Sequence, residues 1–227
     1  MTPEAEGRAV EPADREWLEQ RALNVIGHEL RTPASTIRGL SELLAAEDDR
    51  EDRADLITAL LRNARRLEAL LDDLLAAAAV TTSFPAGPLE TIDLLEAIRE
   101  AWDGADAGIE ISGTGVVRAR PSSVGRIVAA VLDNARAYGE PPLKITLQPD
   151  TDRVTAVLDS PGPRLPSEDV RYALEPFWRG ERAVTTRPGL GVGLSVAATL
   201  AEHEGGRLWV EARDRGGLVT FLELPAG

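Results

Sequence analysis

The chain contains no cysteine, only two histidines, and few aromatic residues, which make up 4% of its 227 positions. The absence of cysteine excludes disulfides, thiolate catalysis and cysteine-bound zinc. Two histidines are also too few for a histidine-rich metal cage. The longest uninterrupted apolar run, Leu74 to Val80, is far too short to span a bilayer, so we expect no membrane contact by this chain.

Basic residues are outnumbered by acidic ones, 25 to 38, and the formal net charge is -13. Phosphate groups would repel such a surface, so nucleic acid is not an expected partner, although a few local arginines could still bind a nucleotide. Residues 1–14 form a polar, acidic segment that does not resemble a secretory signal. We therefore expect a cytoplasmic protein, either by itself or as the cytoplasmic part of a longer membrane receptor.

Residues 15–80 are rich in Ala, Leu, Glu and Arg, which is typical of helices. Apolar residues recur there at alternating steps of three and four and predict two heptad seams, separated by a break at Glu47 to Asp52. The first seam contains Leu23, Ile26, Leu30, Pro33, Ile37, Leu40 and Leu44. The second contains Leu56, Leu60, Asn63, Leu67, Leu70 and Leu74.

This pattern predicts a helical hairpin whose apolar stripes are too large to face water alone. Two helices cannot enclose a core, so we expect a homodimer that forms a four-helix bundle. Asn63 interrupts the second seam, where a polar residue can fix register and partner number. A monomeric hairpin packed on the second half of the chain is the alternative.

His28 lies between the seam positions Ile26 and Leu30, so its ring is expected on the solvent face with Glu29 beside it. Another domain or protein could then reach the imidazole. Pro33 removes one backbone N–H from the same stretch and is expected to disturb the turn that holds His28. An exposed helix histidine followed by a simple kink is the alternative interpretation.

The second half of the chain has a different composition. Residues 81–88 are typical of a linker, and residues 89–227 contain frequent Gly and Pro with short β-branched runs. Strands are predicted at "LKITLQ" and "RVTAVLD", and a terminal hairpin around "DRGG". Helices are predicted at about Leu94–Trp102, Ser122–Tyr138 and Gly191–Glu204. This half is therefore expected to be an α+β two-layer sandwich, with helices covering one face of a mixed sheet.

Five short motifs follow one another along the chain: "GHELRTP", "VLDNARAYG", "LDSPGP", "EPFWRG" and "GLGVGL". In this order they resemble the motifs of sensor histidine kinases. "GHELRTP" is similar to their H-box, "VLDNARAYG" to the N-box and "LDSPGP" to the G1 box. "EPFWRG" is similar to the F-box and "GLGVGL" to the G2 box. The resemblance covers the chain from about residue 15 onward. It implies a dimerisation and phosphoacceptor domain over residues 15–80 and a catalytic ATP-binding domain of the histidine-kinase type over residues 89–227.

The resemblance implies that His28 is the phosphoacceptor. A neutral imidazole would attack the γ-phosphate of ATP, and Glu29 would fix its tautomer and take up developing charge. Thr32 resembles the residue that orients water when related kinases dephosphorylate a response regulator. A solvated helix carboxylate and a surface threonine are the alternatives for these two residues.

The resemblance also implies a nucleotide site that binds ATP and Mg²⁺. Asn134 would be the Mg²⁺ ligand, because an amide oxygen can complete a shell of water and phosphate oxygens. Asp159 resembles the acid that accepts a hydrogen bond from the adenine amino group. The G2 glycines open a helix whose backbone N–H groups suit phosphates. The expected nucleotide-binding residues are Asn134, Arg136, Tyr138, Asp159, Gly162, Arg179, Gly189, Gly191, Gly193 and Leu194, with a lid over 179–187.

The chain departs from the family pattern at several positions. Ala130 stands where a second N-box asparagine is usual, and Arg136 comes one residue early, with Ala137 in the basic position. Pro161 and Pro163 occupy both glycine positions of the G1 pattern and delete two N–H donors. Glu204 occupies the place of a family histidine, and the neighbouring His203 is expected to be a surface residue without chemistry.

The function implied is an ATP-dependent protein-histidine kinase that phosphorylates His28 and passes the phosphoryl group to an aspartate of a response regulator receiver domain, which it would also dephosphorylate through Thr32. A phosphotransfer or binding module with a degenerate nucleotide domain is the alternative, favoured by the prolines of the G1 box. A dimeric coiled-coil scaffold without phosphate chemistry is a third interpretation.

Overall fold

The computed structural model describes residues 12–47, 49–82, 85–102, 108–180 and 189–227. The chain divides into two compact units between Leu67 and Glu68. Within the described residues, no helix combines the length and the apolar character needed to cross a membrane.

The first unit contains helix α1 (Pro12–Ala46) and the beginning of helix α2 (Arg50–Thr82). Arg53 stabilises the turn between them, since its Nη1 donates hydrogen bonds to the carbonyl oxygens of Leu44 at 3.0 Å and Glu47 at 2.6 Å. Asp49 starts α2 by accepting hydrogen bonds from the backbone N–H groups of its first turn. The predicted helical hairpin is confirmed.

Most residues of the two predicted seams are buried or half-buried in these helices. Pro33 is fully buried, and α1 continues through it as one helix. Asn63 is half-buried, and its Nδ2 donates to the carbonyl oxygen of Ala59 at 2.8 Å, within its own helix. Leu23 departs from the pattern, because 66% of its surface is exposed.

The second unit begins within α2 and contains the remaining elements. They are β1 (Glu90–Asp93), α3 (Leu94–Trp102), β2 (Ile109–Gly113), β3 (Val116–Ala119), α4 (Pro121–Tyr138), β4 (Leu143–Pro149), β5 (Arg153–Pro161), α5 (Ser167–Arg171), α6 (Gly193–His203), β6 (Arg207–Ala212) and β7 (Gly217–Pro225). The strands and helices predicted from the sequence are present, whereas β1, β2, β3 and α5 were not predicted.

Five strands form a mixed sheet in the order β2-β4-β5-β7-β6. The β2–β4 pair is parallel and the other neighbours are antiparallel. The short strands β1 and β3 form a separate antiparallel pair. Helices α3 and α4 cover one face of the large sheet, as shown by a small cavity that Ile98 and Leu132 line together with Ala156 and Leu158 of β5. The predicted α+β two-layer architecture is confirmed.

Side chains of β5 alternate between the two faces of this sheet. Val154, Ala156, Leu158 and Ser160 are buried, and the intervening residues from Thr155 to Pro161 are only half-buried. We call the face that carries Ala156 and Leu158 the helix-covered face, and the opposite one the open face. On the open face Trp209 and Phe221 stack with ring centroids 4.8 Å apart.

Candidate functional site

His28 is exposed on α1, as its position off the seam predicts. The hydroxyl of Thr32, also exposed, donates to the backbone carbonyl oxygen of His28 at 3.0 Å. Pro33 has no N–H to offer the carbonyl of Glu29, so this turn has one helical hydrogen bond fewer. The backbone at the histidine is therefore held partly by a side chain.

Glu29 is buried, and does not share the solvent face on which the sequence pattern predicts His28. Only 6% of its surface is exposed, and its Oε2 accepts a hydrogen bond from Nη2 of Arg66 on α2 at 3.0 Å. The physical reason is the helical turn, because adjacent residues differ by about 100° and an exposed His28 leaves Glu29 facing the second helix. The carboxylate is thus placed by an ion pair between the two helices.

Helix α4 carries the N-box residues. Asn134 is half-buried, and Tyr138, at the last position of the helix, is 43% exposed. The first turn of α6 approaches α4 one turn before Asn134, since a Cβ on Gly193 would lie 3.9 Å from the Cβ of Ala130. The predicted metal ligand and the G2 box therefore lie in one helical layer.

The contacts of Arg136 differ from the nucleotide-binding role expected from the N-box. Its Nη2 donates to the carbonyl oxygens of Trp102 at 2.7 Å and Ala101 at 3.3 Å, which caps the end of α3. Its guanidinium carbon also lies 4.3 Å from the centroid of the Trp102 ring. These contacts make Arg136 a structural residue that joins α4 to α3.

The G2 box approaches α6 through two glycines in left-handed conformations. Gly189 has φ 138° and Gly191 has φ 73°. A side chain on Gly191 would collide with the backbone of Trp178 and the Cγ of Arg179, and its carbonyl oxygen accepts a hydrogen bond from the N–H of Phe177 at 3.1 Å. The F-box and the G2 box are therefore packed together at backbone level, ahead of Gly193 and the half-buried Leu194.

Arg179, the first residue of the expected lid, is buried, with 4% of its surface exposed. It packs against the G2 box at Gly191 and is not part of an open lid. The remainder of the expected lid, residues 181–187, lies outside the described residues.

Asp73, near the end of α2, contacts the G2 box. Its Oδ2 accepts a hydrogen bond from the backbone N–H of Leu190 at 3.2 Å. Burial raises the pKa of the Asp73 carboxyl above its ordinary value, the Leu190 N–H opposes that shift, and the neighbouring Asp72 adds to it. One G2 backbone donor is therefore already engaged by a carboxylate of the same chain.

The position of Asp159 differs from the one expected for the adenine acceptor. In the alternation of β5 it lies on the open face, paired in register with Val219, whereas Asn134 and the G2 helix lie in the helical layer. Its Oδ1 accepts a hydrogen bond from Nε of Arg213 at 2.6 Å. The next residue, Ser160, is the one that the strand turns toward the helix-covered face.

The G1 segment is held in an extended form by both of its neighbours. Pro161 still pairs with Gly217 of β7, and its carbonyl oxygen accepts a hydrogen bond from the N–H of Glu140 at 2.7 Å. A Cβ on Gly162 would lie 3.1 Å from the carbonyl oxygen of Tyr138. Gly162 therefore permits close contact between the G1 segment and the end of α4.

Glu204 is a buried carboxylate whose partners the sequence does not reveal. Oε1 accepts a hydrogen bond from the hydroxyl of Ser123 at 2.7 Å, and Oε2 accepts one from the backbone N–H of Arg120 at 3.1 Å. The Arg120 guanidinium adds an ion pair at 3.2 Å and also donates to the carbonyl oxygen of Gly87. Glu204 thus fixes the start of α4 to the end of α6. Its partners lie more than eighty residues earlier in the chain, so no local signal could have indicated them.

Burial works against the charge of Glu204, but the hydrogen bonds from Ser123 and Arg120 outweigh it and lower the pKa of the carboxyl. A lowered pKa stabilises the fold above the ordinary pKa of glutamate, and this stabilisation is lost as the pH falls through the lowered value. Glu204→Gln is therefore expected to lower the free energy of unfolding by about 1–3 kcal/mol at neutral pH.

Urea denaturation at several pH values measures this effect. The difference between the wild type and Glu204→Gln should shrink as the pH falls below the ordinary range of carboxyl titration. The exposed Glu202→Gln, on the same helix, is the matched control and should change stability little. A Glu204→Gln difference that does not depend on pH would contradict the assignment.

Two family models match the chain. The "His Kinase A (phospho-acceptor) domain" matches residues 18–82, and the "Histidine kinase-, DNA gyrase B-, and HSP90-like ATPase" matches residues 119–227. His28 and Glu29 fall in the first match, and Asn134 and the G2 box fall in the second. The fold and these two matches together define a phosphoacceptor domain followed by an ATPase domain.

Similar proteins agree with this class. The signal transduction histidine-protein kinase AfsQ2 of Streptomyces coelicolor is 26% identical over 97% of this chain and 44% of its own length. The sensor histidine kinase GtrS of Pseudomonas aeruginosa is 31% identical over 89% of this chain and 41% of its own length. The solved structure of histidine kinase ThkA in complex with response regulator protein TrrA aligns with a TM-score of 0.69 at 22% identity, covering 95% of this chain and 64% of that one.

The chain belongs to the sensor histidine kinases of two-component systems. It spans about half the length, or less, of the curated relatives that it matches.

Proposed function

We propose that the chain is an ATP-dependent protein-histidine kinase that phosphorylates His28. The observation that carries this proposal is the exposed imidazole of His28 in a domain of the phosphoacceptor family. A neutral ring nitrogen attacks the γ-phosphorus, the bond from that phosphorus to the bridging oxygen breaks, and ADP leaves with the bond's electrons. The new bond is a phosphorus–nitrogen bond.

Glu29 contributes through its position in this mechanism. Arg66 holds the carboxylate on the side of α1 that faces α2, one residue from His28 in the chain. We propose that it acts through its charge, because a nearby negative charge stabilises positive charge that develops on the imidazole. Thr32 lies one turn further along the same exposed stretch. We propose it as the residue that orients water during dephosphorylation of the receiver domain, as its resemblance to the family implies.

The nucleotide is proposed to bind in the helical layer of the second unit. Asn134 would hold Mg²⁺ through its amide oxygen, and the described residues contain no group of three acidic, histidine or cysteine side chains that could hold a metal instead. Mg²⁺ neutralises charge on the β- and γ-phosphates when bound. The N–H groups at the start of α6, from Gly193 and Leu194 onward, are suited to phosphate oxygens.

Incubation with γ-labelled ATP and Mg²⁺ tests the kinase proposal. The chain should become labelled, and the label should be stable in alkali and labile in acid, as expected for a phosphorus–nitrogen bond. Labelling in the absence of a divalent cation, or a label that survives acid, would contradict the mechanism. If ATP does not label the chain but a phosphorylated receiver domain does, the chain is the phosphotransfer module instead.

The phosphoryl group is proposed to pass from His28 to an aspartate of a response regulator receiver domain. The solved complex of ThkA with its response regulator supports this choice of partner. Because ATP is the phosphoryl donor, the site of action is proposed to be the cytoplasm. Purified receiver domains, when they are added to the labelled chain, should take up the label at different rates. The domain with the fastest uptake is the cognate regulator.

The homodimer is proposed because large apolar side chains remain exposed on the first unit. They include Leu43, Ile57 and Leu61. Ile57 and Leu61 lie four residues apart on α2, which gives an apolar stripe suited to a second copy of the helix pair. The resemblance to sensor histidine kinases also implies that residues 15–80 form a dimerisation domain.

Changing both Ile57 and Leu61 to Glu is expected to dissociate this dimer, because four like charges would then face each other across the interface. Light scattering at micromolar concentration should return the dimer mass for the wild type and the monomer mass for the double variant. Changing both Thr58 and Arg62 to Glu, one position further along and exposed, is the matched control and should leave the dimer intact. A monomeric wild type would exclude the proposed assembly.

A further inference from the structure

The end of β5 presents different chemistry to the two faces of the sheet. Asp159 is on the open face, where Arg213 binds it. Ser160 is on the helix-covered face, with 7% of its surface exposed. The alternation of a strand allows only one of two adjacent residues to point toward the helices.

Ser160 lies beside the end of α4. A Cβ on Gly139 would be 3.4 Å from the Cβ of Ser160, and Pro161 accepts the hydrogen bond from the N–H of Glu140. Asn134, the proposed metal ligand, is on the same helix, just over one turn before its end. The polar group that β5 offers to the proposed nucleotide layer is therefore a hydroxyl and not a carboxylate.

A second hydroxyl lies on the same face. Thr220 of β7 is 3% exposed, pairs in register with Leu158 and lines the cavity beneath α3 and α4. Ser160 and Thr220 are thus diagonal neighbours across the β5–β7 pair, at a spacing within reach of one small ring system. Neither carries a charge.

Asp159 cannot readily replace Ser160 at this place. Moving it to the helix-covered face would shift β5 by one residue and reverse every side chain from Val154 onward. The pairing of β5 with β7 runs over nine residues and fixes the register. The Arg213 ion pair at 2.6 Å further holds Asp159 on the open face.

We propose that Ser160, and not Asp159, meets the nucleotide base, and that the site consequently accepts guanine as well as adenine nucleotides. This proposal rests on the proposed binding of a nucleotide in the helical layer. A carboxylate only accepts hydrogen bonds, so it favours the adenine amino group and repels the guanine carbonyl oxygen. A hydroxyl both donates and accepts, so it can pair with either group.

Calorimetric titration of the full chain with the imido analogues of ATP and GTP, in the presence of Mg²⁺, tests the proposal. The two dissociation constants of the wild type should agree within about tenfold, because the hydroxyl adapts to both bases. Ser160→Asp should increase the preference for the adenine analogue by about tenfold or more. Asp159→Asn should leave the ratio unchanged.

Several outcomes would overturn the proposal. One is a wild-type preference for adenine above about a hundredfold that Asp159→Asn abolishes, because the open-face carboxylate would then be the base acceptor. In that case labelling of His28 by ATP would persist, so the kinase proposal would survive. If neither analogue binds and ATP does not label the chain, both proposals fail.

Ser160→Ala keeps the test decisive if circular dichroism shows that Ser160→Asp does not fold. Loss of the hydroxyl should weaken the binding of both analogues by a similar factor of about two to ten. Unchanged affinity for both analogues in this variant would show that Ser160 does not contact the base, and would overturn the proposal.

Discussion

Replacement of His28 by Gln is expected to reduce labelling by ATP to background. Glutamine is close to histidine in size and polarity, but its amide nitrogen has no lone pair available to attack phosphorus. Because His28 is exposed and lies off the buried seam, the substitution should leave the helical hairpin and the dimer unchanged. The measurement is label incorporation over time, with light scattering to confirm the assembly.

The chain supplies a matched control for this experiment. His203 is its only other histidine and is also exposed, on α6. His203→Gln should label at the wild-type rate. If the label disappears in His203→Gln and remains in His28→Gln, the phosphoacceptor has been assigned to the wrong histidine.

Replacement of Asn134 by Ala is expected to slow labelling by at least about a hundredfold, because loss of the amide oxygen weakens the position of the metal that neutralises the phosphates. Nucleotide binding by this variant should also lose most of its dependence on Mg²⁺. Calorimetric titration with and without the metal measures this second effect. Thermal unfolding should change little, since Asn134 is only half-buried.

Arg136→Met is the matched control for Asn134, two positions further along α4. Arg136 caps α3 and lies over the Trp102 ring, so its loss should lower stability by about 1 kcal/mol while labelling stays within about twofold of wild type. A large loss of nucleotide affinity in Arg136→Met would restore the role that the N-box pattern indicates. Wild-type labelling by Asn134→Ala would exclude that residue as the metal ligand.

The helical hairpin and the α+β domain were predictable because their signals are periodic. Heptad spacing covers both long helices, and alternation marks β4 and β5. The adenine acceptor predicted from the G1 box, Asp159, is where motif and structure differ, because the motif does not specify which face of β5 a residue occupies. The alternation of Val154, Ala156 and Leu158, continued by one more step, would have placed Ser160 on the helix-covered face.

Other differences from the expectations involve contacts between residues that are far apart in the sequence. The burial of Glu29 follows from Arg66, which is 37 residues away on α2. Arg136 donates hydrogen bonds to carbonyl oxygens at the end of α3, which lie 34 and 35 residues before it in the chain. In each case the partner of the charged side chain depends on the three-dimensional fold, which the one-dimensional pattern does not contain.

The tight packing of the F-box against the G2 box also gives the protein an intrinsic optical reporter. Trp178 is buried, its ring centroid lies 4.9 Å from that of Tyr172, and its backbone is in contact with Gly191. Rearrangement of the G2 glycines around a phosphate would therefore alter the surroundings of this indole. A variant with Trp17, Trp102 and Trp209 changed to Phe would emit from Trp178 alone, so that nucleotide arrival could be followed by stopped-flow fluorescence without an attached dye.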